Sequence, residues 1–193
     1  MKRRLWILPL LGAIVMIPLV AGARHMDLTD RNDTKGLLDV QKVFVGGKRA
    51  KPRWKIVTYP RWTPRSIWDA GILMVHLDTY GDSDFDYVAL ARSNGSRMVA
   101  EVLRHRNGKP DKSLFFIDTR RPSKRSDSFV VPLPRLRRRP TKLYRWYVET
   151  SFSSDVCRRY CFDRVPDSGF VTEGAKPRPT PTVTITPTVT PSP

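Results

Sequence analysis

The sequence predicts an all-β protein, built as a single antiparallel β-sandwich or jelly roll of seven to nine strands. Short apolar or alternating segments recur along the middle of the chain, and Gly, Asn and Pro separate them. Candidates for helix are restricted to residues 63–70 and a turn near Pro134. We therefore expect two packed sheets rather than a helical or α/β fold.

Individual strands follow from local patterns. Residues 71–78 (GILMVHLD) are apolar on both faces, which is typical of a central strand. Residues 143–152 alternate with period two, which indicates a half-buried antiparallel strand. Asn94-Gly95 predicts a hairpin turn, because this pair accepts positive φ. The remaining expected strands are residues 40–45, 53–59, 87–92, 97–104, 112–118 and 128–133.

Composition divides the chain into four segments. Residues 1–23 have a basic start, an apolar run and a closing Ala-Gly-Ala, the form of a secretory signal peptide. A retained N-terminal anchor is the alternative, because the apolar run approaches the length that spans a bilayer. Residues 24–36 are polar and are predicted to be a flexible lead-in, followed by the folded domain at residues 37–172.

The last segment, residues 173–193, is rich in Pro and Thr and ends in PTPTVTITPTVTPSP. Pro removes backbone donors and favours an extended polyproline conformation, so this segment cannot fold into a core. We predict a disordered stalk or linker.

Charge and export together indicate a class of partner. The chain of 193 residues has 35 Lys and Arg against 18 Asp and Glu, a formal net charge of +17. A secreted or cell-surface protein with this charge is expected to attract cell-wall or other extracellular anionic polymers or glycans, and not intracellular nucleic acid. Membrane contact is expected only through an uncleaved signal segment. The alternative is a solvated basic surface without a ligand.

Basic residues are concentrated in or beside predicted turns. One cluster consists of Lys48, Arg49, Lys51, Arg53 and Lys55. The candidate anion-binding residues follow in two further clusters: Arg120, Arg121, Lys124, Arg125, Arg135, Arg137, Arg138 and Arg139. Clusters that converge on one face would form an anion-binding surface, whereas scattered clusters would confer only solubility.

Four aspartates, Asp78, Asp82, Asp84 and Asp86, lie within nine residues of an otherwise basic chain. Hard oxygen ligands in a flexible loop suit Ca²⁺, so these residues are candidate ligands for a structural Ca²⁺. The loop is not an EF-hand, because Tyr87 replaces the glycine and the closing glutamate is missing. The alternative is a solvated turn in which the aspartates cap backbone amides and pair with arginines.

Two further sets of residues stand out. Tyr59, Trp62 and Trp68 surround a Pro-rich loop and are candidates for stacking on sugar rings. The alternative is that Trp68 and one of the other two rings plug the end of the sandwich. Cys157 and Cys161 are the two cysteines of the chain, and in an exported protein they are expected to form a short-loop disulfide.

Motifs of common enzymes are missing. The sequence contains no G-x-S-x-G, H-E-x-x-H or phosphate-loop motif, and no nucleophile motif accompanies His76, which shares a strand face with Asp78. These observations favour a non-catalytic module that acts in binding or display at the cell surface. The alternatives are a small secreted hydrolase that uses His76 and the loop of residues 78–86, and a purely structural surface protein.

The segments LDTYGDSDFDY, LYRWYVETSF and CFDRVPDSG resemble those of small secreted bacterial β-sandwich domains that are frequent in actinobacteria. The likeness covers residues 37–171. It implies a sandwich broadly similar to carbohydrate-binding modules, without an assigned activity. The Pro/Thr tail is similar to the linkers of modular secreted proteins that act on glycans.

Overall fold

The computed structural model describes residues 26–173, except for residues 83, 107–108, 137–142 and 158. The all-β expectation is confirmed, because the described strands form two antiparallel sheets and the helical segments are two short 3₁₀ turns, Arg65–Ile67 and Leu133–Leu136. Over these residues, no helix has the length and apolar character needed to cross a membrane. The predicted signal peptide and all but the first residue of the predicted tail lie outside the described residues.

The smaller sheet has five strands. Their spatial order is β1 (Met26–Thr29), β2 (Val40–Lys48), β3 (Lys51–Thr58), β9 (Ser126–Val130) and β8 (Thr119–Ser123).

The larger sheet has seven strands. Its path is β11 (Cys161–Val165), β10 (Tyr144–Phe152), β4 (Gly71–Asp78), β5 (Tyr87–Ser93), β6 (Met98–Arg104) and β7 (Lys112–Ile117), and β12 (Val171–Glu173) also pairs with β10.

The hydrophobic core is formed by inward-facing side chains of both sheets. Trp54 on β3 and Trp146 on β10 are fully buried, and their rings meet edge to face with centroids 6.0 Å apart. Burying each such side chain contributes on the order of 2–3 kcal/mol. Every second residue of β10 from Tyr144 to Phe152 is buried, which confirms the predicted inward face.

The outer face of β10 is more covered than the sequence pattern predicts. Tyr147 is buried, because its ring stacks on His76 at 4.3 Å and touches Phe85 edge to face at 4.8 Å. Phe170 completes this aromatic group. The loops before β5 and β12 thus protect a face that the alternation assigns to solvent.

Four short strands are absent from the sequence-based prediction. They are β1, β8, β11 and β12. The prediction of a flexible lead-in does not hold for residues 26–29, because β1 pairs with β2 from Met26↔Val45 to Thr29↔Lys42. Strands of three to five residues carry too little periodicity to be predicted, and pairing with a longer neighbour fixes them.

Candidate functional site

Basic residues from all three sequence clusters border one cavity of about 310 Å³. Lys51 and Arg53 come from the exposed side of β3, Arg120 from β8 and Arg135 from the second 3₁₀ turn. They meet because β9 pairs with β3 on one side and with β8 on the other. The clusters therefore converge in part on one face.

Two further cavities continue this surface. One of about 670 Å³ shares Phe116 and Arg120 with the first and adds Arg97. Another of about 470 Å³ shares Val99 with the second. We call the three together the basic track. Its basic lining residues are Lys51, Arg53, Arg92, Arg97, Arg120, Arg121 and Arg135, and its acidic ones are Asp69 and Asp118.

Exposed aromatic rings also line the basic track. Phe116 is 70 % exposed, Trp68 58 % and Tyr160 54 %. Trp68 rests against the β5–β6 turn, where a Cβ on Gly95 would lie 3.5 Å from its ring. Gly95 has φ of +94°, so the turn both needs glycine and holds the indole in place. Large apolar rings at the edge of cavities are typical of binding surfaces.

Little negative charge offsets the cations of the basic track. Within the described ranges, no carboxylate lies at salt-bridge distance from Lys51, Arg53 or Arg120. Arg92 pairs with Glu101 at 3.5 Å, and Arg135 stacks on the Phe115 ring at 3.7 Å. Basic residues therefore outnumber acidic ones along the track by seven to two, which favours an anionic ligand.

The other predicted anion-binding residues occupy different environments. Arg121 lies at the border of the track, but its guanidinium covers the Trp62 ring at 3.7 Å and donates to the Trp62 carbonyl oxygen at 2.7 Å. Burial lowers the pKa of Arg121. Arg125 donates to the Thr58 carbonyl oxygen at 3.0 Å, and Lys124 is exposed outside the track. Residues 137–139, which include the predicted Arg137, Arg138 and Arg139, lie outside the described residues.

The three predicted sugar-stacking residues are placed differently. Trp62 is only 2 % exposed and its indole N–H donates to Thr58 Oγ1 at 3.1 Å. Tyr59 is half-buried and its O–H donates to the Asp30 carbonyl oxygen at 2.7 Å. Trp68 is the member of this set that borders the basic track. A sugar-stacking role for these residues stays a prediction. Of the three, Trp68 has the most exposed ring and is therefore the best candidate.

The predicted calcium loop, residues 78–86, is held by its own hydrogen bonds. Three of its aspartates accept backbone N–H groups of the same loop: Asp78 from Gly81, Asp82 from Asp84, and Asp86 from Thr79 and Tyr80. Such side-chain acceptors are typical of Asx turns. The loop keeps its shape through backbone donors, and its calcium role stays a prediction.

His76, a candidate of the hydrolase alternative, is packed among aromatic rings. Burial, helped by the nearby Arg164 guanidinium, lowers the pKa of His76 to about 4, so the imidazole is neutral at pH 7. Its Nε2 lies 3.9 Å from Glu149 Oε1 and its ring stacks on Tyr147.

The predicted disulfide is confirmed. Cys157 and Cys161 are bonded with their Cα atoms 5.1 Å apart, and they close a loop between β10 and β11. The N-terminal segment packs on this loop, since a Cβ on Gly36 would lie 3.6 Å from Cys157 Sγ. The disulfide therefore supports the segment that joins β1 to β2.

Several features escaped the sequence-based prediction. Phe116 and Tyr160 gave no signal, because an exposed ring in a strand or loop looks like a core residue. Asp30, Asp33 and Asp163 lie together, with one carboxylate oxygen of each within 4.8 Å of the others. The acidic stretch DLTDRND was the available signal for the first two.

No known protein-family model matches the chain, and comparisons with curated proteins and with solved structures give no match. The resemblance to small secreted β-sandwich domains therefore stays a prediction.

Proposed function

We propose that this chain is a non-catalytic module that binds an extended acidic polysaccharide at the cell surface, and that the basic track is its binding site. The observation that carries the proposal is the run of three adjoining cavities with seven basic residues, two acidic ones and three exposed aromatic rings.

An extended polymer suits the energetics of this surface. A single exposed ion pair contributes only about 0.2–1 kcal/mol, so one acidic group would bind weakly. A polymer engages several cations at once, and each further contact is made at a high effective concentration. The exposed rings at Phe116, Trp68 and Tyr160 add apolar area against the faces of sugar rings, at about 25 cal/mol per Å² buried.

The hydrolase alternative has less support. Asp78 and Asp86 already accept backbone amides, and Asp78 Oδ2 lies 3.9 Å from Arg145 Nη1. His76 is neutral and enclosed by rings. A binding role uses groups that are exposed, whereas the hydrolase would use groups that are occupied.

A comparison of two polymers tests the proposal. Isothermal titration calorimetry with polygalacturonate should give saturable binding, and the fully methyl-esterified form of the same polymer should bind at least about tenfold more weakly, because its carboxylates are neutral. Equal binding of both forms would show that the protein does not recognise the charge of the polymer. If none of several acidic polysaccharides binds, the proposed function is overturned.

A further inference from the structure

A cluster of carboxylates lies where the two sheets meet, beside the edge strands β1 and β11. Asp30 and Asp33 follow β1, and Asp163 lies in the middle of β11. One oxygen from each lies within 4.8 Å of the others. Two oxygens that bind the same Ca²⁺ at about 2.4 Å are at most about 4.8 Å apart, so this spacing allows all three to reach one ion.

A second, separate observation points to a missing positive partner. Asp39, immediately before β2, is 2 % exposed, and its Oδ1 has no hydrogen-bond partner among the described residues. The Thr34 backbone N–H and the Asp163 carboxyl group interact with the same carboxyl group, and Asp33 and Asp30 are its charged neighbours. Burying a carboxylate oxygen without a partner is costly, unless a cation or a proton compensates.

Basic side chains do not supply that compensation in the described part of the chain. None of them lies at salt-bridge distance from Asp30, Asp33, Asp39 or Asp163, although the chain has a net charge of +17. Lys42, a nearby lysine of β2, pairs with Asp27 at 3.1 Å. The cluster is therefore a group of acidic side chains without ion-pair partners among the described residues of a basic protein.

Burial and mutual repulsion both disfavour the charged forms of these carboxyl groups. Burial, with repulsion from the neighbouring aspartates, raises the pKa of Asp30 to about 7 and the pKa values of Asp39 and Asp163 to about 6. A bound divalent cation would reverse this effect by favouring the charged forms.

We infer that Asp30, Asp33 and Asp163 bind a Ca²⁺ ion, with the buried carboxylate of Asp39 beside it, and that this ion fastens the segment between β1 and β2 to β11. Carboxylate oxygens are the ligands that Ca²⁺ prefers, and water can complete the six to eight that it takes. Asp163 Oδ2 also accepts the Val40 N–H, which leaves its Oδ1 for the ion. The set contains no sulfur or imidazole, which Zn²⁺ would favour. This site is separate from the basic track and does not depend on the proposed function.

The surroundings of the carboxylate cluster show how an ion can reach it and which parts of the fold the ion would link. A surface cavity of about 600 Å³ is bordered by Asp39, Thr34 and Lys35, and Asp33 is itself exposed, so an ion can approach from solvent. The segment is already tied to β10 by the Thr150 O–H, which donates to the Leu38 carbonyl oxygen at 2.7 Å. An ion would add a second link between the smaller sheet and the larger one.

Thermal unfolding of the full chain in CaCl₂ and in EDTA, at equal ionic strength and pH 7, tests the inference. At a hundredfold excess over its Kd, Ca²⁺ should raise the midpoint by roughly 5–10 °C. Asp33→Asn should abolish most of this shift. Because Asp33 is exposed, the variant should fold. Asp39→Asn should weaken the shift, because it removes a negative charge beside the ion, and it should raise the midpoint in EDTA because it removes a buried repulsive charge.

The matched control is Asp82→Asn combined with Asp84→Asn, which removes charge from exposed positions of the loop of residues 78–86. This variant should keep the full Ca²⁺ shift. The inference is overturned if Ca²⁺ does not move the wild-type midpoint, which would leave shared protons as the compensating charge. It is equally overturned if the shift survives in Asp33→Asn, or disappears in the control.

Discussion

Asp163, in β11 of the larger sheet, accepts a hydrogen bond from the backbone N–H of Val40 at the start of β2 in the smaller sheet. This bond links the two sheets directly, beside an interface that is built mainly from the apolar side chains of the core. It places the carboxylate cluster at a junction where a cation, a proton or a substitution changes the contact between the two layers.

Asp127 should make stability depend on pH. Burial raises its pKa to about 6, although the Thr119 O–H donates to both carboxylate oxygens at 2.8 and 2.7 Å. A folded-state pKa above the unfolded value means that folded protein binds the proton more tightly, so stability is fully present below pH 4 and falls as pH rises to about 6. We expect a loss of roughly 2–3 kcal/mol in the free energy of unfolding from this group. Urea unfolding between pH 4 and 7 measures it.

Two variants separate Asp127 from the other carboxyl groups. Asp127→Asn should remove its share of the pH dependence while keeping an acceptor for Thr119. Thr119→Val removes the hydrogen bonds that lower the pKa, so the fall in stability should extend to higher pH. A pH dependence that is unchanged in Asp127→Asn would contradict the assignment.

Replacing Trp146 or Trp68 by alanine should have different effects, one mainly on stability and the other mainly on binding. Trp146→Ala should lower the free energy of unfolding by about 3–5 kcal/mol, because it leaves a cavity beside Trp54. Trp68→Ala should cost less than about 1 kcal/mol, since its ring is 58 % exposed, but it should weaken polysaccharide binding. Chemical denaturation and calorimetric titration of both variants check this contrast; a Trp68→Ala variant that binds as wild type would exclude this ring from the site.

The disulfide should contribute modestly to stability. A loop closed between Cys157 and Cys161, with a sequence separation of 4, restricts the unfolded chain by about 2 kcal/mol. Replacing both cysteines by serine should cost this amount and speed amide exchange in residues 34–38, which pack on the loop. Exchange that increases only within residues 157–161 would show that the disulfide does not support that segment.

Polymer binding through the basic track should weaken with salt. Charges on exposed side chains are screened over about 10 Å at 0.1 M ionic strength. Raising NaCl from 50 to 500 mM should therefore increase the Kd for polygalacturonate by about tenfold or more. A Kd that does not change with salt would indicate that apolar stacking, and not charge, drives binding.

Local patterns predicted the long strands well. Residues 71–78 form β4 with the predicted bounds, because an apolar run on both faces has few alternatives to a central strand. The Asn94-Gly95 turn likewise forms where expected, with Gly95 at positive φ. The short strand β1 was missed, because four residues acquire their conformation from the neighbouring β2.

The candidate sites could be recognised only from the order of the strands in the two sheets. Lys51, Arg120 and Arg135 are far apart in sequence, and they meet only because β9 lies between β3 and β8. Asp39 and Asp163 come together because β11 pairs with β10 and its Asp163 reaches the start of β2. The sequence shows which residues can bind anions or cations, whereas strand order determines which of them share a surface.

Two double variants that lose the same charge test directly whether the polymer binds in the basic track. Arg53→Ala with Arg120→Ala removes two cations of the basic track, whereas Lys112→Ala with Lys124→Ala removes two exposed cations outside it. Calorimetric titration with polygalacturonate at one ionic strength should show a Kd raised about five- to tenfold in the first variant and less than about twofold in the second. Equal losses in both variants would mean that net charge alone attracts the polymer, and would contradict a binding site in the basic track.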